Sequence, residues 1–446
     1  MTDVLALAEQ VWRGEEQYHP FRGAGTRCEV ASGVAFVHGF SNVSAIATDE
    51  GLVLVDTGTI HLADVMHEAV RGWSKLPLHT AVFTHGHIDH VFGVDRYEAD
   101  NVEAGAPAPN VVAHEAVPAR FDRYRATAGY NGIINQRQFS FATMEWPVDY
   151  RYPDTTYRDR LDLDVGGRRL ELHHDRGETD DHTWVWSPDD AVLCTGDLFI
   201  WASPNCGNPQ KVQRYPKDWA AALRKMASLD AETLLPGHGL PIVGRDRVRQ
   251  ALDDSAELLE ILHDATLAMM NTGASLDEIV HTVRAPARLL ERPYLRPVYD
   301  EPEFIVRNVW RLYGGWYDGN PARLKPPRDA SVAAEVTALA GGAAVLAERA
   351  LAVADAGDLR LAAQLAEWAL QAAPDDPRAR DVLGEVYARR VAAESSTMAK
   401  GIFRWAASRS DRDDEQPNGP AGAAARTAPP SERDRDDEHR DEETTR

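Results

Sequence analysis

Residues 83 to 93 read FTHGHIDHVFG, crowding three histidines and an aspartate into six positions just after the apolar run TAVF. His85, His87, Asp89 and His90 alternate or adjoin, so one turn at a strand end can aim them at two points a few ångströms apart. Neutral imidazole and carboxylate are the usual ligands of zinc and of harder divalent metals. A loop that only collects polar residues has no need of this spacing. The chemistry on offer is metal binding.

Four further stretches can complete such a site. VDTG places Asp56 after a strand, RGETDDH offers Glu178 and His182, CTGDLF offers Asp197, and PGHG offers His238. Each follows an apolar run and sits in a loop, so all can converge on one edge of a β-core. The positioning elements are legible as short β-rich runs closed by glycine: GVAFVHG, then VSAIATDEGLVLVDTGT, then HTAVFTH after the helix-like HLADVMHEAVRGW. RLDLDVGGRRLELHHDRGE through HTWVWSPDDAVLCTGDLFI repeats the idiom around a GG turn and predicts a second β-half. KDWAAALRKMASL predicts a helix, and AETLLPGHGLPIVG a strand running into a Gly-rich loop. After Arg245 the pattern is mostly helical, and YGGWYDGNPARLKPP marks a boundary near residue 327.

The whole chain of 446 residues has room for two or three domains. A formal charge of −22 argues against nucleic acid or an anionic membrane surface as partner. No apolar run approaches the roughly 20 residues that span a bilayer, so no integral membrane segment is expected. MTDVLALAEQVWRGEEQ reads as an amphipathic helix and not as a signal peptide. Cys28, Cys194 and Cys206 have no repeated spacing, which predicts free thiols and a cytoplasmic protein. Beyond residue 328, Ala-rich helices such as LAAQLAEWALQAAPDDP resemble tetratricopeptide pairs. Leu351, Leu361, Leu365, Trp368 and Leu370 are too apolar to leave wet, so these helices should dock on something. Residues 409–446 hold almost no apolar side chain larger than Ala and are expected to be disordered.

The heptad THGHIDH, followed in order by GD and PGHG, resembles the metallo-β-lactamase superfamily. That resemblance implies an α/β fold, an αββα sandwich with a two-metal site between its sheets, and it covers about residues 30 to 250. Carried over by position, it implies His85 and His87 on the first metal, Asp89, His90 and His238 on the second, and Asp197 bridging. Two zinc ions per chain are implied, with iron or manganese as alternatives. Asp56 is expected to hold a loop through backbone amides. Where most of the superfamily has a histidine after glycine, this chain has Glu178, with His182 four residues later. Glu178 is taken as the ligand and His182 as a nearby acid, base or substrate contact; the reverse assignment is the alternative. Asp89 and His182 are the expected catalytic residues.

A glutamate at that place resembles the alkylsulfatase branch, as do FDRYRATAGYNGIINQRQF, NPQKVQRYPKDW and YDEPEFIVRNVWRLYGGWYDGNPARL. The resemblance then reaches about residue 408 and implies a catalytic domain over 1–327, a small all-α, TPR-like dimerisation domain over 328–408, and an acidic tail over 409–446. It implies a homodimer acting on a small-molecule ester. Three features depart from that family: no signal peptide is visible, an acidic tail stands in place of a sterol-carrier-like domain, and Asp197 replaces a second glutamate. The implied chemistry is hydrolysis of an alkyl sulfate ester by a hydroxide shared between metals about 3.5–4 Å apart. A lactone, thioester or phosphoester is the alternative substrate. A planar arginine fork suits a sulfate oxyanion, so Arg214 and Lys211 are expected substrate contacts, with Arg137 a weaker candidate. The Tyr and Trp residues of YGGWYDG either line an apolar trough or pack as core.

Overall fold

In a computed structural model, residues 3–408 are described; the expected disordered tail, 409–446, lies outside the described residues. Among the described residues, β1 (Thr26–Ala31), β2 (Val34–His38), β3 (Val43–Thr48), β4 (Gly51–Val55), β5 (Leu78–Val82), β6 (Asn110–His114) and β7 (Thr155–Tyr157) pair in chain order. The first four are antiparallel, whereas β4 to β7 run parallel. In β2, Val34 and Phe36 enter one core while Ala35 and Val37 enter another. β4 divides in the same way, Val53 and Val55 on one side and Leu52 and Leu54 on the other. Period-two burial of wholly apolar strands is what a sheet covered on both faces demands.

The second sheet runs β13-β12-β11-β10-β9-β8, built from β8 (Arg160–Val165), β9 (Arg168–His174), β10 (Thr183–Ser187), β11 (Val192–Ile200), β12 (Thr233–His238) and β13 (Ile242–Val243). Its β11–β12 pair is parallel. The GG turn joins β8 to β9, with φ of 51° at Gly166 and 79° at Gly167. Two successive positive φ values are the geometry of a tight hairpin turn, which side chains resist.

Helices cover the outer faces. After α1 (Val4–Trp12), α2 (Ala63–Arg71) and α3 (Val94–Ala104) place Met66, Val70, Val94 and Tyr97 against Leu52, Leu54 and Ala81 of the first sheet. α4 (Val117–Ala126) and α5 (Ala128–Phe139) follow β6. On the second sheet, α6 (Pro216–Ala227) and α7 (Arg245–Asn271) bring Trp219, Leu223, Leu252 and Leu259 to Leu193 and Leu235. The result is an αββα sandwich. Trp184, Trp201 and Trp219 are fully buried, and each indole N–H donates to an acceptor: Asp175 at 2.8 Å, the Leu240 carbonyl at 2.7 Å and the Leu198 carbonyl at 2.7 Å. Burial of such rings contributes without the cost of an orphaned donor.

α8 (Leu276–Thr282), α9 (Ala287–Leu290) and α10 (Pro302–Gly314) complete the stretch up to Pro327, which with Ala393–Ile402 forms the first compact unit. Of the helical stretch expected over 328–408, Ala393–Ile402 thus falls in the first unit. Met398 is fully buried with Ile200, Ala202 and Tyr299, and Ser396 Oγ donates to the Tyr299 carbonyl at 2.7 Å.

The second unit holds α11 (Asp329–Ala340), α12 (Ala343–Asp355), α13 (Leu359–Ala372) and α14 (Pro377–Ala393), with α15 (Thr397–Ala407) crossing the division. Alanines build its core: Ala347 and Ala350 meet Ala362, Ala366 and Ala369, all fully buried. Leu351, Leu365, Trp368 and Leu370 pack on that core, while Leu361 is 47% exposed. Small residues let the helix axes approach, and Leu346, Val382, Leu383 and Val386 fill the rest of the core. No single described helix is long and apolar enough to cross a membrane.

Candidate metal centre

Parallel strands end at the same edge, so the residues after β4 and β5 emerge as neighbours. After Val55 the backbone turns left-handed at Asp56, with φ at 60°. Its buried carboxylate accepts from the Thr84 N–H at 2.8 Å, the Thr84 hydroxyl at 2.8 Å and His90 Nδ1 at 2.7 Å. Because the Thr84 hydroxyl donates to Asp56, it must accept from His85 Nδ1, 3.0 Å away. His238 Nδ1 donates to the Phe40 carbonyl at 2.5 Å. Each outer bond occupies Nδ1 and turns Nε2 of His85, His90 and His238 inward, where the neutral ring presents a lone pair. Asp56 thus orients His90, and His85 through Thr84, without joining the donor groups, and its bond from the Thr84 N–H holds the loop.

Inside lie two groups whose donor atoms all fall within 4.8 Å of one another: His85, His87, Glu178 and Asp197, and then Asp89, His90 and His238. Asp197 lies between them, with Oδ2 at 3.9 Å from His85 Nε2 and 3.4 Å from His238 Nε2, and Oδ1 at 3.5 Å from His90 Nε2. Glu178 Oε2 is 3.8 Å from His85 Nε2 and 3.6 Å from His87 Nδ1. His90 Nε2, Glu178 Oε2 and Asp197 Oδ1 are buried without a hydrogen-bond partner. Orphaned buried acceptors are costly, and a divalent cation is the natural partner for nitrogen and carboxylate donors so grouped. The donor set fits a divalent metal.

Two glycines are required by close approach. A Cβ on Gly86 would lie 2.8 Å from Arg120 Cδ and 3.2 Å from Asp181 Oδ2, and one on Gly237 would lie 2.1 Å from Asp197 Oδ1. Asp181 accepts from the Gly86 N–H at 3.1 Å and from Arg120 Nε at 2.5 Å, tying the ligand loop to α4. That buried pair was not singled out in the sequence, although Asp181 stands inside the RGETDDH motif.

Burial pushes the pKa of His85 and His87 down, reinforced at His85 by His90 and at His87 by Arg120, so both rings are neutral and able to bind a metal. Burial also opposes the charged forms of His90 and His238, but carboxylates outweigh it. Asp197 and Asp56 hold His90 well up, and Asp197 with Asp89 holds His238 at about 9. Despite burial, His90 and His238 keep Asp89 below the usual carboxylate range, and they do the same to Asp197 more strongly.

His182 is fully buried and stacks on His85 with ring centroids 4.8 Å apart. Its Nε2 is bonded to the Thr195 carbonyl at 3.2 Å, and burial lowers its pKa to about 4. It lies outside the residues that line the cavity and can brace His85. Glu178, and not His182, is the residue grouped with the donors.

The cluster opens into a cavity of about 660 Å³. His87, Asp89, Asp197 and His238 form its floor, while Phe21, Phe40, Phe139, Phe141 and Trp146 supply aromatic wall. Lys211 and Arg214 line it too. Arg214 is fully buried, contacts Glu178 Oε1, and donates to the Asn205 carbonyl at 2.5 Å, while its Nε has no partner. Burial lowers the pKa of Arg214 to about 10 and that of Lys211 to about 8, so both stay cationic near neutrality. Lys211 Nζ lies 5.5 Å from the centre of the Trp146 ring. Arg137 does not line the cavity, whereas its neighbour Gln138 does. The YGGWYDG aromatics neither line it nor pack as core: Trp316 is 74% exposed and Tyr313 50%. Tyr313 stands in the last turn of α10, and Trp316 follows its end.

Two family models match the chain: metallo-beta-lactamase superfamily over residues 37–238, and alkyl sulfatase dimerisation over residues 275–413. A linear primary-alkylsulfatase from a Pseudomonas species is 28% identical over 369 residues, covering 77% of this chain and 69% of its own. An (R)-specific secondary-alkylsulfatase from Pseudomonas is 29% identical over 370 residues, covering 76% of this chain and 55% of its own. The solved stereoselective inverting sec-alkylsulfatase Pisa1 from Pseudomonas superposes with a TM-score of 0.77 at 26% identity, covering 87% of this chain and 66% of that one. The chain therefore spans between about half and two thirds of the length of these relatives.

Asp56→Asn should release the His90 tautomer and weaken metal binding by about 10–100-fold. Competition against a chromogenic chelator measures this, and parental affinity would contradict the orienting role. The pH dependence follows from His238. In the metal-free protein, its charged ring stabilises the fold fully below about 6.5, and that stability is lost as pH rises through about 9. Metal binding needs the neutral ring, so its affinity should climb with pH up to about 9. Calorimetric titration of the metal-free protein across that range would show a flat affinity if the linkage is absent.

Proposed function

The chain belongs to the metallo-β-lactamase superfamily, and from that premise we propose that it is a metal-dependent hydrolase of alkyl sulfate esters. One observation carries the choice of substrate: two cations, the buried Arg214 and the partly buried Lys211, stand beside the donor cluster in a cavity whose wall also presents Phe21, Phe40, Phe139, Phe141 and Trp146. Arg214 Nε lacks an acceptor, as a donor awaiting an oxyanion would. An anionic head with an apolar tail satisfies both halves of that cavity.

We read the metal as two zinc ions per chain, with iron or manganese as alternatives. His85, His87 and Glu178 would hold one, Asp89, His90 and His238 the other, with Asp197 between them. Such a pair, when bound, supplies positive charge to an ester oxygen and lowers the pKa of water towards neutrality. The chain's own residues do the rest. Arg214 and Lys211 hold the sulfate oxygens, and the phenylalanines and Trp146 seat the alkyl chain and exclude water. Asp89 lines the cavity as an ionised carboxylate, so it can bind a cation or accept a proton but has none to give. His182 supports this arrangement through its stack on His85.

We further propose a cytoplasmic homodimer. All three cysteines are free thiols, as a reducing compartment favours. The alkyl sulfatase dimerisation model spans residues 275–413, and the second unit leaves Leu339, Val345 and Leu361 exposed.

Purified, metal-loaded protein should hydrolyse octyl sulfate, and Arg214→Ala should lower kcat/KM by about 100-fold or more, the size expected when a buried charged contact is lost. Equal or better turnover of lactones, thioesters or phosphoesters would displace the sulfate reading. Light scattering at micromolar concentration should give the mass of a dimer, and Leu361→Glu should weaken it at least about tenfold by placing a charge in an apolar interface. A parental monomer would refute the dimer.

A further inference from the structure

The cationic wall of the cavity belongs to the loop between β11 and α6, which has no regular hydrogen-bond ladder of its own. Besides bonds such as Tyr215 N–H to the Gly177 carbonyl at 3.0 Å, one stripe along α10 and its lead-in holds it: Asp300, Phe304, Asn308 and Arg311, spaced at 4, 4 and 3 residues so that they share a helical face. Asp300 is fully buried and accepts the Gly207 N–H at 2.5 Å and the Glu301 N–H at 2.7 Å. A Cβ on Gly207 would lie 2.1 Å from the Phe304 carbonyl carbon, so the loop backbone rests directly on the helix. Asn308 Nδ2 donates to the Arg214 carbonyl at 3.0 Å, and its Oδ1 accepts from Gln213 Nε2 at 2.9 Å. Arg311 donates to the Lys211 carbonyl at 3.2 Å, to Gln213 Oε1 at 3.0 Å and to Asn308 Oδ1 at 3.0 Å. Backbone carbonyls of both cationic residues are therefore gripped from α10, while their side chains line the cavity.

We propose that this face of α10 is a positioning surface for anion recognition, with Asn308 as the positioning residue that sets Arg214 and Arg311 its support at Lys211. The inference rests on the reading of Arg214 and Lys211 as the sulfate-holding pair. It gives α10, which falls within the stretch matched as alkyl sulfatase dimerisation, a second task at the active cavity. Asn308 does not line the cavity and touches no substrate, so its effect is transmitted through the loop backbone. Displacements of about an ångström at such a remove are enough to cost orders of magnitude in a positioned reaction.

The test uses the full-length, metal-loaded protein, with octyl sulfate as substrate and inorganic sulfate as competitive probe. Asn308→Ala should raise both KM and the sulfate inhibition constant about tenfold and lower kcat by less than about threefold. On an Arg214→Ala background the same change should add less than about twofold, because residues acting through one contact are not additive. Arg311→Ala, at an exposed position, should raise the sulfate constant about two- to threefold and keeps the question open to refutation should Asn308→Ala not fold. Sulfate constants equal to the parent's in the soluble variants would overturn the proposal, as would a fall in kcat with KM unmoved. A parent that neither hydrolyses octyl sulfate nor binds sulfate removes the sulfate-ester reading and this inference together. A parent that does both, with variants that match it, removes the inference alone.

Discussion

One buried carboxylate organises the centre. Asp56 sits in a left-handed turn, a conformation that costs a non-glycine residue of order 1 kcal/mol, and uses it to accept from a backbone amide, a hydroxyl and an imidazole at once. Without that acceptor, the Thr84 amide and hydroxyl would be unpaired, and the His90 ring would be free to present the wrong nitrogen. The two residues it bonds, Thr84 and His90, are on the same loop as the other ligands of the first motif. A single hydrogen-bonding centre therefore sets the tautomers of His90 directly and of His85 through Thr84, while the Phe40 carbonyl sets that of His238.

Sheet topology explains why the remaining ligands arrive at the same place. β4 with β5 and β11 with β12 are parallel neighbours; the first motif follows β5, Asp197 lies in β11 and His238 ends β12, while Glu178 follows β9. Asn42 then links the two sheets at that edge: its side chain donates to the Pro236 carbonyl at 2.8 Å and the Gly239 carbonyl at 3.1 Å and accepts the Gly39 N–H at 3.1 Å, and its N–H donates to the Gly237 carbonyl at 2.8 Å. Thr183 N–H adds a bond to the Thr84 carbonyl at 2.6 Å. These cross-links are buried and leave little freedom to the intervening loops. Rigid strand ends braced by satisfied backbone groups give the precision that a metal cluster requires.

Much of this was legible in the sequence, and the reason is local. THGHIDH, GD and PGHG each pack their ligands next to a strand whose period-two apolar pattern is readable without any partner. Glu178 was legible for the same reason, since it follows β9 after a short turn. The cavity wall was less accessible to that reasoning: Phe21, Phe40, Trp146 and Asn205 come from separate loops, and no spacing relates them. Arg120 and Asp181 meet across 61 positions, so their pairing leaves no periodic trace. The exposed Trp316 shows the converse failure, an aromatic whose type predicts burial and whose position in a loop decides otherwise. The return of Ala393–Ile402 to the first unit depends on a fit between Met398 and Tyr299, which composition alone does not encode.

Charge accounts for the division of labour between floor and wall. Asp56, Asp89, Glu178 and Asp197 are gathered in a volume where uncompensated carboxylates are severely penalised. In the metal-free arrangement, part of that penalty falls on His90 and His238, which are held protonated. A pair of divalent cations would balance the four carboxylates and return those rings to the neutral form. Arg214 and Lys211 would then remain as positive charge not matched within the cluster, although Arg214 also touches Glu178. Their own burial makes that charge expensive, as their lowered pKa values record. An anion bound between them relieves the expense, and a monoanionic ester with an apolar tail does so without bringing a second charge against the aromatic wall.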